Sequence, residues 1–278
     1  MSCTPASRNA PALSAGGRLG DIAARFCGLL LGTFAAAHFA HEARAVDFQA
    51  EIQINLCSAP GQVIRALQLS KKGKATTVWL FDSPALALNQ RGFRLRLREK
   101  GKNAELTLKV AGQNCASVEA GLLQPDGKCE ADLHGDSLED VVSLTRQLDA
   151  QNRGKLLAPE AARGAPLAAV LAAELDRNQR SALAAGRGVV SGAALLPEDI
   201  ARLGPSRVRA YHSANEAHVV EVWTLPGGQQ FVELSEKTRR DTALARRTVL
   251  IQKLSASGVV ICSDQDSQAK IKLAILSR

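Results

Sequence analysis

The sequence predicts an α+β fold in which two β-rich halves enclose a helical middle. Three observations predict it. Apolar and polar residues alternate with a period of two between residues 48 and 133, apolar residues recur at helical spacings between 138 and 185, and the period of two returns from residue 208.

In the first half, alternation marks strands at residues 48–56, 78–81, 93–98, 105–110 and 129–133, each with one dry and one polar face. Gly101-Lys102-Asn103 reads as a hairpin turn between the third and fourth. After Gly135, Asp136 or Ser137 caps a predicted helix through Leu138, Val141, Val142 and Leu148, and the Ala/Leu-rich residues 159–185 continue the pattern, broken by Gly154, Gly164 and Pro166. Pro197 starts a further short helix that Gly204-Pro205 ends. Strands return at 208–211, 219–224 and 230–235, with Pro226-Gly227-Gly228 as the turn between the last two. Residues 237–253, with Ala243, Leu244, Val249, Leu250 and then Leu254 at helical spacings, form a helix before a final strand at 259–262.

The first 45 residues carry a different signal. Arg8, Arg18 and Arg25 against the single acid Asp21 precede an apolar run at residues 26–37, and Ala43-Arg44-Ala45 supplies a small-x-small pattern. This is the layout of a cleaved signal peptide with the cut before Val46, because the run is shorter than the roughly 20 apolar residues that a spanning helix needs. An uncleaved anchor or a buried core helix is the alternative. No other segment reads as transmembrane, so residues 46–278 are expected to form a single exported domain, placed in a bacterial periplasm or otherwise secreted.

Subtracting the leader's four bases and two acids leaves 31 Lys+Arg against 25 Asp+Glu, a net charge of +6 that favours anionic partners. Four cysteines remain, Cys57, Cys115, Cys129 and Cys262. An even count in an exported chain without Cys-x-x-Cys spacing points to two disulfides rather than a metal cluster, and buried thiols are the other reading. Of three possible connectivities, Cys115 with Cys129 across the turn-rich residues 121–127 is expected, which leaves Cys57 for Cys262.

Strand parity puts Arg94, Arg96 and Arg98 on one face and Phe93, Leu95 and Leu97 on the other. A solvated outer face is the ordinary explanation of such a row. The neighbouring strands repeat the habit, with Glu105, Thr107 and Lys109, Glu130 and Asp132, Arg207 and Arg209, Glu221 and Trp223, and Glu233, Ser235 and Lys237. If the strands close into a barrel with these faces inward, a bound polyanion offsets the cost of burying the charges. Guanidinium groups match phosphate oxygens, and carboxylates hold a divalent metal between them.

The order of Glu51-Ile-Gln-Ile-Asn55, Leu80-Phe-Asp-Ser-Pro84, Gly92-Phe-Arg-Leu-Arg-Leu-Arg98, Leu106-Thr-Leu-Lys109, Cys129-Glu-Ala-Asp132, Leu225-Pro-Gly-Gly228 and Phe231-Val-Glu-Leu-Ser-Glu-Lys237 resembles the CYTH-like, or triphosphate tunnel metalloenzyme, family. The resemblance covers most of residues 48–265. It implies an eight-stranded antiparallel β tunnel with flanking helices. Basic residues at Arg94, Arg96, Arg98, Lys109, Arg207, Arg209 and Lys237 would hold phosphate, and Glu51, Glu130, Asp132 and Glu233 would hold Mg2+ or Mn2+. The expected partner is a small phosphorylated anion such as tripolyphosphate or an organic phosphate.

The family opens with Glu-x-Glu-x-Lys, where this chain has Glu51, Gln53 and Asn55, and Ser235 stands where a second carboxylate follows Glu233. Fewer carboxylates weaken metal affinity and water activation. Two readings therefore stand together: a metal-dependent phosphohydrolase, and a non-catalytic anion-binding or structural protein that has lost the metal site. Other classes have less support. His38, His41, His134, His212 and His218 lack metal-ligand partners in sequence, and no P-loop or Gly-x-Ser-x-Gly elbow occurs. With ten aromatic residues and no interleaving of rings with bases, no nucleic-acid partner is expected.

Overall fold

In the computed structural model, residues 49–116, 118, 127–185, 195–214 and 218–266 are described. The leader expected at residues 1–45 and most of the turn-rich stretch 121–127 lie outside them. The strands are β1 (Gln49–Leu56), β2 (Lys71–Asp82), β3 (Phe93–Lys100), β4 (Asn103–Ala111), β5 (Gly127–His134), β6 (Ser137–Leu148), β7 (Ala201–His212), β8 (Val219–Thr224) and β9 (Gln230–Arg239). They close a barrel in the order β1-β5-β6-β4-β3-β2-β7-β8-β9. All neighbours are antiparallel except β1 and β5, so the tunnel has nine strands with one parallel pair in place of eight antiparallel strands.

The added strand is β6. The helix expected after Gly135 is a twelve-residue strand paired with both β4 and β5. Its outer face alternates Leu138, Asp140, Val142, Leu144, Arg146 and Leu148, and the two charged interruptions hide the period of two. Each has a partner outside the barrel: Asp140 accepts from Arg240, and Arg146 pairs with Glu174. The short helix expected at Pro197 is instead a turn, and Gly204-Pro205 lies within β7. Gly204 sits where the β2–β7 register slips, at φ +127°, and a Cβ there would stand 2.9 Å from the Val78 carbonyl oxygen.

The helices are α1 (Pro60–Ala66), α2 (Ala87–Gln90), α3 (Ala150–Leu157), α4 (Glu160–Arg163), α5 (Leu167–Glu174), α6 (Arg177–Ala185) and α7 (Ala243–Ala256). They cover the outside of the barrel. Leu95, Leu97, Leu106, Leu108 and Leu144 pack with Leu156 of α3, Leu171 of α5 and Leu183 of α6. Ile52, Ile54 and Leu234 pack with Val63 of α1 and with Leu250 and Leu254 of α7. Each fully buried leucine contributes about 2 kcal/mol. Most of the apolar core is thus outside the strands, which leaves the inner face free for polar groups. Asp82 shapes the β2–β3 connection, since its carboxylate accepts from the backbone N–H groups of Ser83, Leu88 and Asn89.

Both expected disulfides form, Cys57–Cys262 and Cys115–Cys129. The last expected strand reduces to one bridge, Leu56 to Ile261. Residues 259–266 instead form a strap against β1: Cys57 N–H donates to Val260, Cys262 N–H donates to Asn55, and the Asn55 side-chain amide donates to the Asp264 carbonyl at 3.1 Å. Among the described residues no helix is long and apolar enough to cross a membrane.

Candidate anion and metal site

The ladder registers decide which side chains share the interior. Arg94, Arg96 and Arg98 of β3 pair with Lys109, Thr107 and Glu105 of β4, and these continue into Ser143, Thr145 and Gln147 of β6. All but Gln147 line a cavity of ≈ 370 Å³ inside the barrel. Of the residues expected to bind phosphate, Arg94, Arg96, Arg98, Lys109 and Lys237 line that cavity. Arg207 and Arg209 do not. On β7 the inward residues are Val208 and Ala210, the partners of Trp223 and Glu221, so both arginines have outward parity. Of the expected metal residues, Glu51, Glu130 and Glu233 line the cavity, and Asp132 lies behind Arg94 and Lys109.

Three carboxylates converge. One oxygen from each of Glu51, Glu130 and Asp132 lies within 4.8 Å of the others, and Glu233 stands apart from this group. Glu51 is the register partner of Asp132 on β5 and of Lys237 on β9. Asp132 is 1% exposed; its Oδ2 accepts from Lys109 Nζ at 3.1 Å and Arg94 Nη2 at 3.3 Å, whereas its buried Oδ1 has no hydrogen-bond partner. Burial alone would raise the Asp132 carboxyl, but the charges of Lys109 and Arg94 prevail and hold it below the usual range. Burial also pulls Lys109 down, against the attraction of Asp132. Glu130 is held between Lys128 at 2.7 Å and Lys237 at 3.8 Å.

Arg96 and Arg98 differ from the other bases. Among the described residues neither has an ion-pair partner, and Arg98 Nε is buried without a hydrogen bond. Burial, together with the adjacent Arg98 charge, pulls Arg96 down to about 10. Two such guanidiniums without ion-pair partners leave uncompensated positive charge on the cavity wall.

The β8–β9 side of the cavity carries Trp223 together with Glu221 and Glu233. Trp223 packs with Val78, Val208, Leu225 and Phe231, and its indole N–H donates to Glu221 at 3.0 Å. The alternation on β8 already placed Glu221 and Trp223 on one face; Lys128, Ser143 and Thr145 were not expected at the site. Parity from Glu130 marks Lys128, but Ser143 and Thr145 were concealed by the helical appearance of β6.

Among the described residues six bases and five acids line the cavity, a net of one positive charge, or zero once Asp132 is counted. A polyphosphate alone would bring a large uncompensated negative charge into this space, so a bound divalent cation improves the balance. The residues fit such an ion. Three hard oxygen ligands lie within reach of one another, and the unpartnered Asp132 Oδ1 is a buried acceptor without a donor.

No family model matches the chain, and no curated protein sequence matches it. Solved structures do. A Hippeastrum adenylyl cyclase-type protein with a dominant triphosphatase activity aligns at a TM-score of 0.50 and 15% identity, covering 80% of this chain and 94% of that one. A Bacillus halodurans adenylate cyclase-type protein aligns at 0.46 and 12%, covering 80% and 97%. The chain has the CYTH-like tunnel fold.

Proposed function

We propose that this protein binds a short polyphosphate or an organic phosphate inside the barrel as its complex with Mg2+ or Mn2+. The observation that carries this reading is the carboxylate group Glu51, Glu130 and Asp132, two of whose members line the cavity that the unpaired Arg96 and Arg98 also line and whose third, Asp132, keeps a partnerless buried oxygen just behind the wall. In this reading the three carboxylates hold the cation, Arg96 and Arg98 orient phosphate oxygens, and Arg94 and Lys109 keep Asp132 ionised. When bound, the cation supplies charge neutralisation and polarisation of phosphate oxygens. Arg207 and Arg209 take no part.

A second reading, hydrolysis of tripolyphosphate, is supported by the three converging carboxylates and by the triphosphatase activity of the Hippeastrum protein. Binding without turnover is supported by the uncharged Gln53 and Ser235 in the cavity wall. Calorimetric titration with tripolyphosphate and Mn2+, together with a phosphate-release assay, separates them. Binding with no released phosphate establishes the binder, and release establishes the triphosphatase. Absence of binding, or unchanged binding in the Arg96→Ala/Arg98→Ala double variant, overturns the site.

We further propose that residues 1–45 direct export and are removed before Val46, which the two disulfides support. Mass spectrometry of the exported protein should find Val46 at its N-terminus. Retention of residues 1–45 would refute the cut.

A further inference from the structure

We infer that Lys128 is a further phosphate-binding residue, held on Glu130 until a divalent cation takes that carboxylate. The inference rests on the metal–phosphate reading of the cavity. Lys128 Nζ is 2.7 Å from Glu130 Oε1, and Lys237 Nζ approaches the other oxygen at 3.8 Å. Lys109 and Arg94 share Asp132 Oδ2. Four of the six wall bases are therefore engaged with two carboxylates of the cation cluster. A divalent ion on those carboxylates replaces the attraction that holds the ammonium groups with repulsion.

The four bases do not respond alike. Lys109 is 18% exposed on a side chain tied to Asp132, whereas Lys128 is 53% exposed on a flexible stem and can turn away. The ladder shows what it can turn toward. Arg94 pairs with Lys109, Lys109 with Ser143, and Ser143 with Lys128, one rung across four adjacent strands. Such a rung spans about 14 Å, three strand spacings. Ser143 Oγ is buried and has no hydrogen-bond partner, so the rung carries an unused polar group between its two lysines. Released from Glu130, Lys128 completes a row of hydrogen-bonding groups along one wall. Cation and phosphate then raise each other's affinity, and the coupling is reciprocal.

Lys128→Met keeps much of the stem and removes the charge. In Mn2+ titrations without phosphate, followed by the electron paramagnetic resonance of free Mn2+, the variant should bind about three- to tenfold more tightly, because Glu130 has lost a competitor. In calorimetric titration with tripolyphosphate at saturating Mn2+, it should bind about three- to tenfold more weakly. Two shifts of opposite sign are not produced by partial unfolding. Unchanged affinities, or two shifts of the same sign, overturn the role of Lys128. A wild-type chain that binds neither Mn2+ nor tripolyphosphate overturns the cavity reading itself, and the role of Lys128 with it; wild-type binding of both with an unaltered variant overturns the role of Lys128 alone.

Discussion

Gln53 and Ser235 face each other on a single rung of the β1–β9 ladder, and both line the cavity. They are the two positions where the chain departs from the acidic pattern of the family it resembles. The departures are therefore one local change. The flanking rungs keep Glu51 with Lys237 and Asn55 with Glu233. The carboxylate cluster forms toward β5, on the other side of β1.

Restoring that rung should strengthen cation binding. Gln53→Glu/Ser235→Glu adds two carboxylates beside Glu51, which Gln53 Nε2 contacts at 3.3 Å. Mn2+ affinity should rise about tenfold or more, and like-charge repulsion should lower metal-free stability by about 1–2 kcal/mol. Urea midpoints with and without Mn2+ read both effects.

Asp132 should govern the acid limb of stability. Its folded carboxyl lies below the unfolded value of 3.8, so its contribution is present above that value and is lost as pH falls through the lower folded value. Asp132→Asn should leave Lys109 and Arg94 without their partner and cost about 3–5 kcal/mol at neutral pH. Urea midpoints from pH 7 to pH 2 should fall more steeply below pH 4 in the wild type than in the variant.

Arg96 should trade stability for binding. Its charge is half-buried without an ion pair, so Arg96→Met is expected to raise the metal-free melting temperature, by the equivalent of about 1 kcal/mol, while reducing tripolyphosphate affinity at least tenfold. A loss of both stability and affinity would show that Arg96 is a structural residue.

The two disulfides should contribute unequally. Cys57–Cys262 joins residues 205 apart in sequence and Cys115–Cys129 residues 14 apart, so loop-closure entropy favours the first, at about 5 against about 3 kcal/mol. Thermal unfolding of the two double-serine variants should rank them in that order. Equal losses would place the stabilisation in local packing instead.

Strands with uninterrupted alternation were legible in the sequence, and with them the charged rows of β3, β4, β5 and β9. What escaped were features set by partners distant in sequence. β6 looked helical because Asp140 and Arg146 break its outer face, and only Arg240 and Glu174 account for them. The resemblance implies that Arg207 and Arg209 face inward, and alternation alone reveals two faces without saying which is inside. The register of β7 against Trp223 and Glu221 settles that, and it depends on the slip at Gly204. The carboxylate cluster was readable as a set of acids, but its separation from Glu233 follows from the parallel pairing of β1 with β5.

That parallel pairing also sets an order of events during folding. β1, the earliest strand among the described residues, has as its neighbours β5, about 80 residues on, and β9, about 180 residues on. Its edges cannot both be satisfied until the chain through Arg239 is available, so no N-terminal fragment can assemble the cavity ahead of the rest. Such a topology has a high contact order and closes slowly, since β1 must wait for β9. Until then β1 keeps an unpaired edge of backbone N–H and C=O groups, which makes it the strand most open to mispairing while the chain folds.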